Sequence, residues 1–268
     1  MNKMNFEQIH DCEIEMLKLF VTICEKHNLN YYLAGGTLLG AVRHHGFIPW
    51  DDDIDILMTR DDYDRFLTYA DEIAESGRYF IASCELGNLN MPFCRIFDRK
   101  THILSLHSKD SFEQNLWVDI LPLDGLPDDD RIVEKLFKKS LFWRMILKIQ
   151  KARPEKSKTF LKRICKYVIK FITLPWGPKT TAGIINKISR TYSVDSCNYI
   201  GGIAMGYGPQ EKMPKEEYLK TVKVEFEGML LNAPSCWDYY LTRLYGDYMQ
   251  LPPEDQRIAH PIEASMDD

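Results

Sequence analysis

Phe6, Ile9, Met16, Leu17, Phe20, Val21 and Cys24 fall mainly on one face of a 3.6-residue repeat, so the pattern predicts an amphipathic helix over 6–27. "NLNYYLAGGT" (28–37) then reads as a short strand running into a glycine turn, and "TLLGAVRHHG" (37–46) as a helix that opens at that turn and stops near Gly46. In "IDILM" (54–58) an acid alternates with apolar residues, the signature of a strand with one wet face. "TRDDYDRFLTYADEIAES" (59–76) predicts a single helix with Thr59 as its N-cap. Short strands are expected at 78–83, 93–98, 102–106 and 116–124. Helical patterns follow over 131–150, 155–172 and 180–191, interrupted by Pro154 and by "LPWGP". A glycine-rich patch, "GGIAMGYGP" (201–209), precedes a hairpin pattern at 222–234 and a last helix at 234–245.

Strands and helices mixed without regular βαβ alternation imply an α/β (α+β) fold, a mixed β-sheet flanked by helices. The 268 residues suffice for one large domain with an appended lobe. The expected division is a core over 1–130, a mainly helical basic insertion over 131–195, and a C-terminal part over 196–268 that completes the site.

Net charge is −5, which excludes a global electrostatic signal for nucleic acid. The seven cysteines are widely spaced, odd in number and never form C-x-x-C, which speaks for reduced thiols in a cytoplasmic protein rather than a disulfide framework or zinc knuckle. No apolar run at the start resembles a signal peptide, and no stretch of about 18 apolar residues could cross a bilayer.

The chemistry concentrates in "GGTLLGAVRHHGFIPWDDDIDILM" (35–58), where Asp51, Asp52, Asp53 and Asp55 lie within five positions. In a strand, Asp53 and Asp55 project to one side while Ile54 and Ile56 enter the core. Two carboxylates so close suit a divalent cation of the Mg²⁺ or Mn²⁺ type, which takes hard oxygen ligands and keeps water or phosphate in the remaining positions. A calcium-binding helix-loop-helix is excluded, because its loop needs Gly at the position of Ile56 and Glu at that of Asp62. Gly35, Gly36 and Thr37 would let a phosphate approach backbone N–H groups at the start of a helix. The stretch is neither a Walker loop nor a G-x-G-x-x-G fingerprint. Glycine turn, D-x-D strand and bound phosphate together point to nucleotidyl or phosphoryl transfer.

The same stretch resembles the signature of the LicD family, within the nucleotidyltransferase-fold superfamily. The likeness extends to "VDILPLDGLP" (118–127), "FEGMLLNAP" (226–234) and "YGDYMQLPPEDQRIAH" (245–260), and is weakest over about 130–200. It implies a nucleotidyltransferase-like fold and Mg²⁺-dependent transfer of phosphocholine from CDP-choline to a sugar hydroxyl of a cell-surface glycan precursor, of teichoic acid or lipopolysaccharide type, with CMP leaving. Asp53 and Asp55 match the metal pair. The family's third carboxylate, from a later strand, falls on Asp119, also a candidate general base, with Asp124 in reserve. Transfer of another phospho-alcohol such as a polyol phosphate, nucleotidyl transfer, and a membrane-associated scaffold with an inactive transferase fold are the alternatives.

A diphosphate donor calls for cations, for which Arg43, then His44, and Arg95 are the candidates, His45 reading as a loop residue. A quaternary ammonium needs aromatic faces, for which Trp50, Trp117, Tyr207 and Trp237 are available. Residues 135–170 hold ten lysines and three arginines against one acid, Glu155, interleaved with Leu141, Phe142, Trp143, Ile164, Val168 and Phe171. A basic amphipathic helical pair of this kind reads as a surface for anionic lipid. The expected setting is therefore the inner face of the plasma membrane, with a lipid-linked glycan as acceptor.

Overall fold

The computed structural model describes residues 2–103, 114–152, 160–257 and 263–267. The elements run β1 (Asn2–Lys3), α1 (Phe6–His27), β2 (Tyr32–Leu33), α2 (Gly35–His44), β3 (Asp55–Thr59), α3 (Arg60–Leu67), α4 (Ala70–Ala74), β4 (Tyr79–Ala82), β5 (Cys94–Asp98), β6 (Thr101–Ile103) and β7 (Trp117–Leu126). They continue α5 (Asp130–Lys151), α6 (Phe160–Ile172), α7 (Gly177–Ser189), β8 (Tyr199–Gly201), β9 (Met213–Pro214), α8 (Lys215–Leu219), β10 (Thr221–Phe226), β11 (Met229–Pro234), α9 (Trp237–Tyr245) and β12 (Ala264–Met266).

The central sheet has the order β2-β3-β7-β5-β4, with β8 and β9 added to the far end of β7. It is mixed: β3 and β7 run parallel, and the other pairs are antiparallel. The expected α/β class is therefore observed. Ile54, Ile56, Val118 and Ile120 are fully buried, so the alternation read from the sequence sends these side chains into the main core. The acidic face, expected to be wet, is instead covered, and Asp55 and Asp119 are both buried. The main core also takes residues from α1 and from the 213–266 region, so both ends of the chain contribute to it.

Local chemistry explains most boundaries. Asn5 and Gln8 form a reciprocal capping box at the start of α1, and Asn28 closes it in the left-handed region. Thr59 caps α3 as expected. The single helix predicted over 59–76 is broken at Thr68 and Tyr69, where the Thr68 hydroxyl donates to the Arg65 carbonyl and the Tyr69 ring stacks on His27 at 3.6 Å. The predicted helix over 155–172 is observed from Phe160, and the expected strand 102–106 to Ile103; their remaining residues lie outside those described. The short strands β8 and β9 and the helix α8 carry too few residues for a periodic signal. The cysteines are free thiols, five buried, with Cys84 half-buried and Cys165 exposed.

The two-residue turn Glu227–Gly228 joins β10 to β11 with positive φ at both positions, the twist such hairpins require. The turn clamps the segment that leads into the acidic run. The Glu227 amide donates to the His45 carbonyl at 2.9 Å, and the Glu227 carboxylate accepts from the Phe47 amide at 3.0 Å. At the far end of β7, Asp124 is buried in a two-point ion pair with Arg60, at 2.8 and 2.6 Å. Asp124, held in reserve as a third carboxylate, therefore ties α3 to the sheet, with both of its oxygens engaged by Arg60. Removing one member of a buried pair strands the other, at a cost of about 3 kcal/mol or more. Asp124→Ala is expected to lose stability of that order in urea unfolding; an unchanged midpoint would show that Glu85, 3.7 Å from the Arg60 guanidinium, suffices alone.

Candidate active site

Asp55 on β3 is the register partner of Asp119 on β7, and Asp119 is that of Arg95 on β5. Cross-strand partners share a face, so three adjacent strands present carboxylate, carboxylate and guanidinium in one row. Arg95 donates to both oxygens of Asp119, Nε to Oδ1 at 2.5 Å and Nη2 to Oδ2 at 3.2 Å. Its guanidinium also lies 4.3 Å from the centre of the Trp117 ring. Arg95, expected to meet a phosphate, thus orients Asp119, and the Trp117 face carries that arginine.

The row is crowded by like charge. Burial, then Asp51, Asp119 and Asp52, push the Asp53 carboxyl up to about 8, with Arg95 opposing. Burial and then Asp53, Asp119 and Asp51 hold Asp55 well above the usual carboxylate range. A further acid was missed from sequence: Glu13 of α1 is buried against the same group, and burial followed by Asp53 and Asp52 raises it strongly. Its signal was present, since Glu13 occupies the buried stripe of Ile9, Cys12, Met16 and Leu17, where an acid is out of place.

The glycine turn is the first turn of α2 itself. Gly35 has φ +50°, and a Cβ there would come 3.1 Å from Asp55 Oδ2 and 3.6 Å from the Tyr207 hydroxyl, so only glycine admits this approach. The Gly35 amide, the first of the helix, donates to Tyr240 Oη at 3.2 Å, and the N-cap residue Ala34 has no side chain able to cap it. A side chain at Gly36 would run into the Asp51 carboxylate. Thr37, expected to offer its hydroxyl to a phosphate, accepts the Asp55 amide at 2.8 Å and so fixes the entry of β3 beside α2.

The glycine-rich segment forms the opposite wall. A small cleft of about 20 Å³, partly open to solvent, is lined by Gly35, Asp55, Gly202, Tyr207, Glu211 and Tyr240, among others. Tyr207 was expected there; Tyr240, Tyr245 and Glu211 were not. The hydroxyls of Tyr207 and Tyr245 both face Gly35. Burial raises Glu211 to about 7, opposed by the Tyr207 amide, which donates to it, by the Gly202 amide and by Arg144.

Arg43, His44 and Trp50 form a separate group at the C-terminal end of α2. Arg43 donates to the Tyr248 carbonyl at 2.7 Å and to His44 Nε2 at 3.0 Å, and Arg257 lies 5.5 Å from the Trp50 ring centre. Trp237 packs half-buried against the main core.

Asp55 Oδ1 is buried without a hydrogen-bond partner, which a bound cation would satisfy. Asp53 and Asp55 are the residues that could hold one, with Asp119 adjoining. Among the described residues no three His, Cys, Asp or Glu side chains form a closed metal cage. An open pair is the arrangement that suits Mg²⁺ or Mn²⁺ shared with phosphate oxygens and water.

Residues 28–125, which carry the turn, the D-x-D strand and most of β7, match the family described as "LicD/FKTN/FKRP, nucleotidyltransferase domain". Over 255 residues, 93% of either chain, the protein is 33% identical to the lipopolysaccharide cholinephosphotransferase LicD of Haemophilus influenzae. The chain belongs to the LicD family. A shorter likeness, 45% over 42 residues, connects it to the mouse and human ribitol 5-phosphate transferase FKRP, covering 16% of this chain and 8% of theirs.

The raised carboxyl of Asp53 sets a pH dependence. Between about 4 and 8 the folded protein holds a proton that the unfolded chain has released, so stability falls as pH rises through that window. In EDTA, the melting temperature should be higher at pH 5 than at pH 8, with a smaller difference in Asp53→Asn. Equal slopes for the two proteins would show that Asp53 is not strained by its neighbours.

Proposed function

We propose that the protein transfers phosphocholine from CDP-choline to a sugar hydroxyl of a cell-surface glycan precursor, on a nucleotidyltransferase-like scaffold. The observation that carries the reading is the row of Asp55, Asp119 and Arg95 beside the glycine-containing first turn of α2. It is supported by the likeness to a lipopolysaccharide cholinephosphotransferase along nearly the whole chain.

In this reading the N-terminal end of α2, through its dipole and the amides that follow Gly35, receives the donor diphosphate. Asp53 and Asp55 would hold Mg²⁺ or Mn²⁺, which when bound would supply charge stabilisation to the phosphates. Arg95 cancels one negative charge and aims Asp119. The acceptor oxygen forms a bond to the phosphorus that bears choline, the bond from that phosphorus to the CMP oxygen breaks, and Asp119 takes the hydroxyl proton. Tyr207 and Tyr245, partly exposed at the mouth of the cleft, supply ring faces for the trimethylammonium head group.

A second reading, transfer of a polyol phosphate, is favoured by the likeness to ribitol 5-phosphate transferases, and by tyrosine hydroxyls that serve a polyol as readily as rings serve choline. Comparing CMP release from CDP-choline and CDP-ribitol, alongside CTP turnover, separates the two. Release from CDP-choline is expected, falling about a hundredfold or more in Asp55→Asn. Tyr207→Ala should weaken CDP-choline binding about tenfold while sparing CMP. Preference for CDP-ribitol would select the second reading, and preference for the triphosphate would overturn both.

A further inference from the structure

Helix α6 is mounted inside out. Around its wheel, Phe160, Leu161, Ile164, Val168, Phe171 and Ile172 share one arc, and Arg163, Lys166 and Lys170 lie on the other. A helix packed on a globular protein buries the first arc. Here the half-buried positions are Lys166, Ile169 and Lys170, and Lys170 Nζ donates to the Ala152 carbonyl at 2.5 Å. The apolar arc faces outward, with Phe171 79% exposed and Leu161 71%. Leu174 and Trp176 continue the surface beyond the helix, and Leu141, Phe142 and Met145 of α5 add a second exposed arc. Twelve of the twenty large exposed hydrophobic side chains among the described residues fall between 141 and 176, a concentration in one helical segment rather than scatter.

We infer that this patch is an interfacial docking surface for an anionic lipid bilayer. Charge decides the occupant. The patch is interleaved with lysines and arginines, and the sequence over 135–170 has a single acid. Two copies meeting patch to patch would set like charges against each other, whereas anionic headgroups complement them. The 13-residue helix is about 20 Å long, and no helix among the described residues is long and apolar enough to cross a membrane, so α6 lies in the plane of the interface. Trp176, 44% exposed, is the amphipathic ring that belongs at headgroup level.

The surface is also mechanically joined to the cleft. On α5, Ser140 donates to the Ile203 carbonyl at 2.8 Å and Arg144 to the Gly206 carbonyl at 2.6 Å, so the helix that carries part of the patch also holds the glycine-rich wall. The membrane inference stands independently of the transfer chemistry.

The test is co-sedimentation of the full chain with vesicles of phosphatidylcholine alone, or containing about one-third phosphatidylglycerol, together with tryptophan emission. Binding to the anionic vesicles at low salt is expected, with a blue shift and weakening as salt rises. Phe171→Ser combined with Leu174→Ser, both highly exposed positions, should lower partitioning about tenfold or more with an unchanged circular dichroism spectrum. Absence of binding at low salt, or equal binding by the double variant, would overturn the proposal. So would a wild-type dimer that the double variant dissolves and that vesicles leave intact.

Discussion

Repulsion among buried carboxylates is the constraint around which the site is built. Asp51 and Asp119 raise Glu13, Asp53 and Asp55 alike, Asp53 also raises Glu13 and Asp55, and Arg95 is the cation that opposes them at Asp53 and Asp55. A fold tolerates such crowding only if the charges are offset, either by protons, as the raised Asp53 and Asp55 indicate, or by a cation brought from outside. The arrangement costs stability in the free protein and is therefore best understood as serving a ligand.

Everything nearby holds that crowded group in place. The parallel pairing of β3 with β7 sets Asp55 beside Asp119, and antiparallel pairing with β5 adds the guanidinium. Thr37 pins the Asp55 backbone to the first turn of α2. The Glu227 turn grips the approach to the acidic run from the other side of the chain, which gives the "FEGM" stretch a physical role. The glycine-rich wall is held in turn by Glu211 from within and by α5 from without. A docked bilayer on α5 and α6 would consequently be presented to the same body that shapes the cleft.

How much of this was legible in the sequence depended on range. Local periodicity revealed α1, the D-x-D strand and the β10–β11 hairpin, because each is written within a few residues. The pairing of Asp53 and Asp55 with the glycine turn was legible for the same reason. Cross-strand register is not local: nothing near Arg95 says that it will face Asp119, so it looked like a phosphate ligand. The same register sets that arginine over the Trp117 ring, which no local pattern announces. Tyr240 and Glu211 reach the site from distant segments and had no sequence signal, Tyr245 stood only at the start of a stretch of family likeness, and Glu13 had a local one, an acid on a buried helical stripe.

The central claim is that Asp53 and Asp55 together hold a divalent cation, and calorimetric titration of the metal-free protein with Mn²⁺ addresses it most directly. The account predicts a single bound ion, tightened by CDP-choline, and an affinity at least about tenfold weaker in Asp53→Asn and in Asp55→Asn with both variants folded. Equal affinity in the wild type and the two variants would contradict it.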